Sequence, residues 1–385
     1  MIIQPKVREF ICTTAHPLGC EETVLRQAVC AEGYGTVKGP KKVLIIGAST
    51  GYGLSARIGA LVNLDADTLG IMYEKEASGK RTATAGWYNT RAFEKMAEQR
   101  GRYAGCINGD AFSREVKEEA AALIRENMGK AELVVYSLAA PRRKDEDGTV
   151  WSSALKTVGE PFTEKSLDLR NNTITEKTIA PALEEEILGT VKVMGGEDWA
   201  SWIDFLKKED VLAENAVTIA FSYIGPEMTY PIYYDGTIGR AKKHLHKTAQ
   251  EICIAHPDVQ AIVSVNKGLV TQASAAIPIV PLYLTMLYRA MKKRGTHEGC
   301  QQQMSRLFTQ KMFGEAGIVT DENHLIRMDD YELEEGLQRE LRESWKKVTP
   351  ENLREYADID GYWEDFYHMF GFGYDNIDYT KDIMP

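Results

Sequence analysis

The run Val43-Leu44-Ile45-Ile46 passes directly into Gly47-Ala48-Ser49-Thr50-Gly51-Tyr52-Gly53 and then into Leu54-Ser55-Ala56-Arg57-Ile58-Gly59. A short apolar strand, a glycine-rich turn and the opening of a helix, in that order, leave few folds open. The glycines allow a tight turn and let the backbone approach a pyrophosphate. The unpaired N–H groups and partial positive charge of the helix N-terminus then stabilise the anion. Glycines alone would predict only a turn; the strand before them and the helix after them predict a dinucleotide site. Their spacing is Gly-x3-Gly-x-Gly rather than the commoner Gly-x-Gly-x2-Gly. Glu74 closes the next apolar segment, Thr68–Tyr73, where an acid can accept hydrogen bonds from an adenosine ribose.

Apolar runs of strand length recur at 43–47, 68–73, 104–107, 133–138, 217–223 and 261–265. Between them, 91–99, 114–128, 200–208 and 241–255 carry the 3.6-residue period of amphipathic helices. This alternation predicts an α/β fold with a doubly wound, parallel, Rossmann-type sheet covered on both faces. With no linker, repeat or low-complexity segment, residues 1–385 read as one dinucleotide-binding domain. It carries an N-terminal extension over about 1–40, a polar insertion over about 141–195 and a helical, charged C-terminal cap over about 297–385. Residues 77–88, rich in Gly, Thr and Ala, lengthen the turn after the second strand. Loops at the carboxyl ends of parallel strands form the binding crevice, so insertions there are expected to shape a substrate mouth.

A formal charge of −10 argues against nucleic acid or an anionic membrane as partner. An anionic ligand therefore needs a local basic patch, for which Arg142, Arg143 and Lys144 are candidates. The apolar stretch Ala273–Leu287 is broken by Pro278 and Pro281 and is too short to span a bilayer. The first residues carry no secretion signal, and the six scattered cysteines suggest neither a disulfide framework nor a zinc site. A cytoplasmic protein with reduced thiols is expected. His297-Glu298-Gly299-Cys300 lacks a second histidine at helical spacing, which leaves too few metal ligands.

After the fifth strand, Tyr223, Tyr230, Tyr233 and Tyr234 precede Gly236, which breaks the chain, and Thr237, which is placed to cap the helix bearing Lys242 and Lys243. A tyrosine held before a helix that carries a lysine suits a reductase. The phenol donates to a substrate oxygen as negative charge develops, and the ammonium binds the nicotinamide ribose and strengthens that donation. Ordinary short-chain dehydrogenases place the two one helical turn apart; here eight residues separate Tyr233 from Lys242. Core packing would equally explain the tyrosine cluster, and a solvated helix face the lysine pair.

The Tyr-x8-Lys spacing, with Gly-Ala-Ser-Thr-Gly-Tyr-Gly, Ile107–Phe112, Tyr136–Ala139, Met194–Trp199 and Val270–Ser274, resembles the FabV-type enoyl reductases, which include the bacterial trans-2-enoyl-CoA reductases. The resemblance runs from Met1 through Phe370-Gly371-Phe372-Gly373. It implies a single enlarged Rossmann domain, a monomer, and NADH-dependent reduction of the C2–C3 double bond of a trans-2-enoyl-CoA such as crotonyl-CoA. By the same resemblance Gly47, Ala48, Ser49, Thr50, Gly51 and Tyr52 hold the pyrophosphate, and Tyr73 and Glu74 the adenosine ribose. Asp110 and Ala111 contact the adenine, Leu138 and Ala139 the ribose side, and Leu269, Val270 and Thr271 the nicotinamide end. Tyr223 matches the substrate-binding tyrosine, Tyr233 the proton donor, Lys242 the cofactor-binding lysine and Lys243 a second lysine. Hydride delivery to C3 leaves an enolate at the thioester oxygen for Tyr233 and Tyr223 to hydrogen-bond, with neither metal nor flavin required.

Asp110 would equally cap the helix opening near Phe112, and Ala273–Leu287 would equally be core rather than the cover of an acyl channel. Two other functions stand beside the first. One is the same chemistry on an acyl-carrier-protein thioester in fatty acid synthesis, although Ser222–Glu227 and Val265–Leu269 look nearer the CoA-using members. The other is an NADH-sensing protein without turnover, against which the complete Tyr233 and Lys242 pair speaks.

Overall fold

Seven parallel strands form the central sheet: β1 (Lys42–Ile46), β2 (Asp67–Met72), β3 (Ala104–Asn108), β4 (Ala131–Tyr136), β5 (Leu212–Ser222), β6 (Gln260–Val265) and β7 (Leu325–Arg327). Their spatial order is β3-β2-β1-β4-β5-β6-β7. The computed structural model describes residues 1–8, 11–138, 140–271, 277 and 279–385. Ala139, expected on the ribose side, and Gln272, Ala273 and Ser274 of the motif after β6 lie outside the described residues.

Alternation along β1 explains how the sheet is covered. Leu44 and Ile46 join the core on one face, and Val43 and Ile45 join the core on the other. All four are fully buried, which is why the strand reads as a continuous apolar run.

The helices are α1 (Pro17–Glu32), α2 (Gly51–Asn63), α3 (Ala85–Gln99), α4 (Arg114–Asn127), α5 (Glu184–Met194), α6 (Glu197–Lys208), α7 (Thr237–Ala255), α8 (Val280–Arg294), α9 (Cys300–Arg306), α10 (Glu335–Lys347), α11 (Leu353–Tyr356) and α12 (Ile359–His368). Ile124 of α4, Trp199 and Trp202 of α6, and Leu245 of α7 pack on the Leu44 face. Ala56 and Ala60 of α2 and Met304 of α9 pack on the Val43 face, with α1 and α3 outside α2 through Val24, Ile58 and Phe93. Among the described residues, no helix is long and apolar enough to cross a membrane.

A separate core, built by Tyr283 and Leu287 of α8, Leu341 of α10 and Phe366 of α12, also includes Leu167, Ile179 and Tyr233. The 141–195 insertion contributes to it as ordered structure. It forms one hairpin of Arg142–Lys144 with Val150–Ser152, a second of Phe162–Asp168 with Thr173–Ile179, and α5. Lys165 Nζ donates to the carbonyls of Trp345 (2.8 Å) and Val348 (3.2 Å), fastening the second hairpin to the end of α10.

Three local expectations change. β7 lies inside the tail read as helical, pairing Leu325 with Val263, and three residues are too few to show a period. Gly236, not Thr237, is the N-cap of α7. Thr237 is the first helical residue, and its hydroxyl donates to the carbonyl of Ala154 in the insertion. Ser113 caps α4, its Oγ accepting from Val116 N at 3.3 Å. Asp110 instead forms a turn, with Oδ1 accepting from Phe112 N at 3.0 Å.

Gly19 and Gly371 form a seam between α1 and the segment after α12. A Cβ on Gly19 would lie 1.6 Å from the Gly371 carbonyl oxygen, so no larger residue fits. His16 N donates to Phe370 O at 2.9 Å beside it.

Candidate active site

The chain leaves β3 and re-enters the sheet at β4, on the other side of β1. That reversal opens a crevice above the carboxyl ends of β1 and β4. Gly47 leaves β1 with φ +85°, a conformation L side chains rarely adopt, and a Cβ there would lie 2.5 Å from Ser137 O. A Cβ on Gly53 would lie 1.8 Å from Gly47 O, so the turn closes on the first turn of α2 only with glycine at both places. Gly47 and Ala48 donate their N–H groups to Ile71 O, and Thr50, at the N-cap of α2, makes no side-chain cap bond. The opening of α2 thus lies at the carboxyl end of β1 with no side-chain cap bond, the arrangement an anion site requires. Tyr52 does something else. Its hydroxyl donates to Lys267 O at 2.6 Å, fastening α2 to the exit of β6.

Glu74 lies just past β2, where Oε1 accepts from Ser49 Oγ at 2.6 Å. Asn108, at the end of β3, brackets its backbone: Oδ1 accepts from Glu74 N at 2.8 Å, and Nδ2 donates to Glu74 O at 3.0 Å. In α3, a Cβ on Gly86 would lie 2.0 Å from Glu74 Oε1, so that glycine makes room for the carboxylate. Tyr73 beside it is exposed. Ala111 is buried, with its carbonyl accepting from Trp202 Nε1 at 3.1 Å. Leu138 is half-buried beyond β4. Leu269 and Val270 are buried and Thr271 half-buried beyond β6, with Val270 N donating to Tyr288 Oη at 3.1 Å. These residues fit a dinucleotide laid across the carboxyl ends of the strands.

At the other end of the crevice Tyr233 is 7% exposed, its ring meeting Tyr223 edge-on at 4.6 Å between centroids. Its hydroxyl makes no hydrogen bond among the described residues. A Cβ on Gly239 would lie 2.3 Å from Tyr233 O, so the tyrosine segment lies directly against α7. Burial, and secondarily the nearby Glu332 carboxylate, raise the Tyr233 pKa, which keeps the phenol protonated.

About 100° of helix rotation per residue separates Lys242 from Lys243. Lys242 Nζ donates to Phe221 O at 3.0 Å, and desolvation lowers its pKa to about 8. Lys243 is exposed, its ammonium 4.2 Å from the centroid of the Tyr234 ring. His246, one turn beyond Lys242, shares a hydrogen bond with Ser222 Oγ at 3.2 Å. Burial and the Lys242 charge lower its pKa to about 4, so it is neutral near pH 7.

Two features escape sequence reading here. Glu332, fully buried, accepts from Tyr223 Oη (2.9 Å) and Tyr283 Oη (2.7 Å) through Oε1 and from Gly268 N (2.6 Å) through Oε2. The only local signal was an acidic string, Glu332-Leu333-Glu334-Glu335, which reads as a solvated face. Asn108 had a weak signal, its place before Gly109-Asp110 at a strand end.

Of the proposed basic patch, Arg143 is occupied by Asp145 (2.8 Å) and Lys192 O (3.0 Å), whereas Arg142 and Lys144 are exposed. Glu298 pairs with Arg306 at 2.8 Å, and no group of three metal-ligating side chains gathers among the described residues.

Residues 81–313 match the family profile described as the trans-2-enoyl-CoA reductase catalytic region, and residues 2–79 match the NAD(P)H binding domain of trans-2-enoyl-CoA reductase. The chain is 52% identical to the trans-2-enoyl-CoA reductase [NADH] of Clostridium perfringens, over 100% of this chain and 99% of that protein. It belongs to the trans-2-enoyl-CoA reductase family. The enoyl-[acyl-carrier-protein] reductase [NADH] of Flavobacterium psychrophilum is 48% identical, over 99% of this chain and 97% of that one. The crystal structure of Treponema denticola trans-2-enoyl-CoA reductase in complex with NAD superposes with a TM-score of 0.96 at 44% identity, covering 100% of this chain and 98% of that one.

A third profile, described as an enoyl reductase FAD binding domain, matches residues 320–383 of this reductase. Those residues do not fit a flavin. No strand there leads through a glycine turn into a helix: β7 runs into Met328-Asp329-Asp330, and Asp329 is held by Arg327 at 2.6 Å. Gly371 is filled by the backbone of α1, Cys20 N standing 2.5 Å from where its Cβ would be. Leu341, Trp345, Tyr362 and Phe366 are committed to the core against α8.

Proposed function

We propose that this reductase uses NADH to reduce the C2–C3 double bond of a trans-2-enoyl thioester, with CoA as the favoured carrier. The observation that carries the reading is the buried Tyr233 hydroxyl, which makes no hydrogen bond among the described residues and lies beside Tyr223 ahead of the helix bearing Lys242. When bound, NADH supplies the hydride that arrives at C3. The opening of α2 binds the pyrophosphate, and Lys242 orients the nicotinamide ribose. Tyr233 hydrogen-bonds the thioester oxygen as negative charge develops there, and a proton then reaches C2 to complete the reduction. Asp110 and Ala111 on the adenine side and Leu269, Val270 and Thr271 at the nicotinamide end complete the proposed cofactor site. A cytoplasmic monomer completes the reading, and a single domain is supported by the packing of the α1 extension against the tail.

An acyl-carrier-protein thioester is the second reading, favoured by the Flavobacterium psychrophilum relative; the slightly higher identity to the Clostridium perfringens relative favours CoA. Loss of NADH absorbance, followed with crotonyl-CoA and with the matching acyl-carrier-protein ester, separates them. Higher kcat/KM with the CoA ester is expected. No NADH consumption with either ester refutes enoyl reduction and returns the chain to a binding role.

Glu74 is expected to set the preference for NADH. Its carboxylate, held by Ser49, accepts from the ribose 2′-hydroxyl and repels a 2′-phosphate. Glu74→Ala should reduce the ratio of kcat/KM for NADH over NADPH by about 10–100-fold, the worth of a charge-assisted hydrogen bond. An unchanged ratio removes Glu74 from that role.

A further inference from the structure

A phenol has one proton to give. Tyr223 directs its proton to Glu332 Oε1, the same oxygen that receives the Tyr283 proton, while the Gly268 N–H fills Oε2. The acid is fixed from behind, because Gln338 Nε2 donates to the Glu332 carbonyl at 2.6 Å. Space for the contact comes from Gly268, where a Cβ would lie 3.0 Å from Tyr223 Oη and 3.3 Å from Glu332 Oε1. Two other charged groups act on this carboxyl, Lys267 favouring its ionised form and Asp329 opposing it. Tyr233 lies on the far side of the Tyr223 ring contact and takes no part in these bonds.

We infer that Glu332 is a positioning residue that commits the Tyr223 proton away from the substrate, so that Tyr233 alone donates to the thioester oxygen. The inference deepens the proposed reaction and rests on it. Two tyrosines side by side would otherwise both donate to that oxygen. Glu332 removes that ambiguity by holding the Tyr223 hydroxyl with its lone pairs, rather than its proton, available to the crevice.

The test compares the parent enzyme, Tyr233→Phe, Glu332→Gln and the double variant, measuring kcat with crotonyl-CoA and confirming folding by NADH titration. In Glu332→Gln the Gly268 N–H claims the amide oxygen. The amide nitrogen then faces Tyr223 and Tyr283 as a donor, releasing the Tyr223 proton to the site. The substitution should therefore raise kcat about tenfold in the Tyr233→Phe background, the worth of one recovered hydrogen bond, and by less in the parent, where Tyr233 already donates. A merely structural acid would lower kcat in both, and that result overturns the inference.

If Glu332→Gln does not bind NADH, Tyr233→Phe with Glu332 intact gives the answer. Burial raises the Glu332 pKa, so lowering the pH protonates it and frees the Tyr223 proton. The kcat of Tyr233→Phe relative to the parent should then rise toward acid; a flat or falling ratio overturns the inference. A parent enzyme without turnover overturns the reaction and the role of Glu332 together, whereas an active parent with the wrong ratios overturns only the latter.

Discussion

Tyr233→Phe is expected to yield a folded, NADH-binding protein whose kcat is lower by about 10²–10³, or about 3–4 kcal/mol of transition-state stabilisation. The phenyl ring keeps the edge contact with Tyr223 and the packing around Ile232 and Ile238, so the change is confined to one hydroxyl. That hydroxyl satisfies nothing within the protein among the described residues, so its removal leaves no buried partner stranded. The loss therefore belongs in kcat. Circular dichroism and NADH titration check that fold and cofactor site persist. If the variant keeps near-normal kcat while Tyr230→Phe or Tyr234→Phe loses it, the donor is one of those neighbours and the Tyr-x8-Lys assignment falls.

Lys242→Met should be nearly as damaging, lowering kcat/KM by about 10² and weakening NADH binding, since it removes the proposed ribose contact and the charge proposed to strengthen phenol donation. Lys243→Met should do less, because its ammonium lies over an exposed ring rather than toward β5. The reverse order of severity would mean that the pair has been assigned backwards. Desolvation also makes the Lys242 charge titrate near neutrality. With a pKa lowered to about 8, the ammonium is present below that pH and lost above it. The kcat/KM profile of the free enzyme should accordingly fall as pH rises through about 8, and Lys242→Met should abolish that limb.

What was legible in the sequence was local. The β1 turn could be read because an apolar run, three glycines and a helix start fall within 17 consecutive residues, 43–59. Lys242 was singled out from Lys243 by its spacing from Tyr233, but that Lys242 and not Lys243 turns toward β5 depends on the phase of α7, which spacing along the chain does not give. Glu332 was illegible for a different reason. It meets Tyr223 across 109 residues of chain, and nothing near it distinguishes a buried acid from the exposed ones that follow. Asn108 and Gly86 were missed similarly: each acts on Glu74 from a neighbouring element, a relation that spacing along one segment cannot express.

The seam at Gly19 and Gly371 also bears on how the protein is made. Thr23 in α1 bonds to the carbonyl of His368, 345 residues later. At about 5–20 residues per second, α1 leaves the ribosome tens of seconds before the segment that covers it. Throughout that interval the nascent chain carries the glycine turn and the first strands but lacks both the cover of α1 and the tail that delivers Glu332. A chain released early would thus possess its nucleotide-binding sequence without a finished enzyme around it.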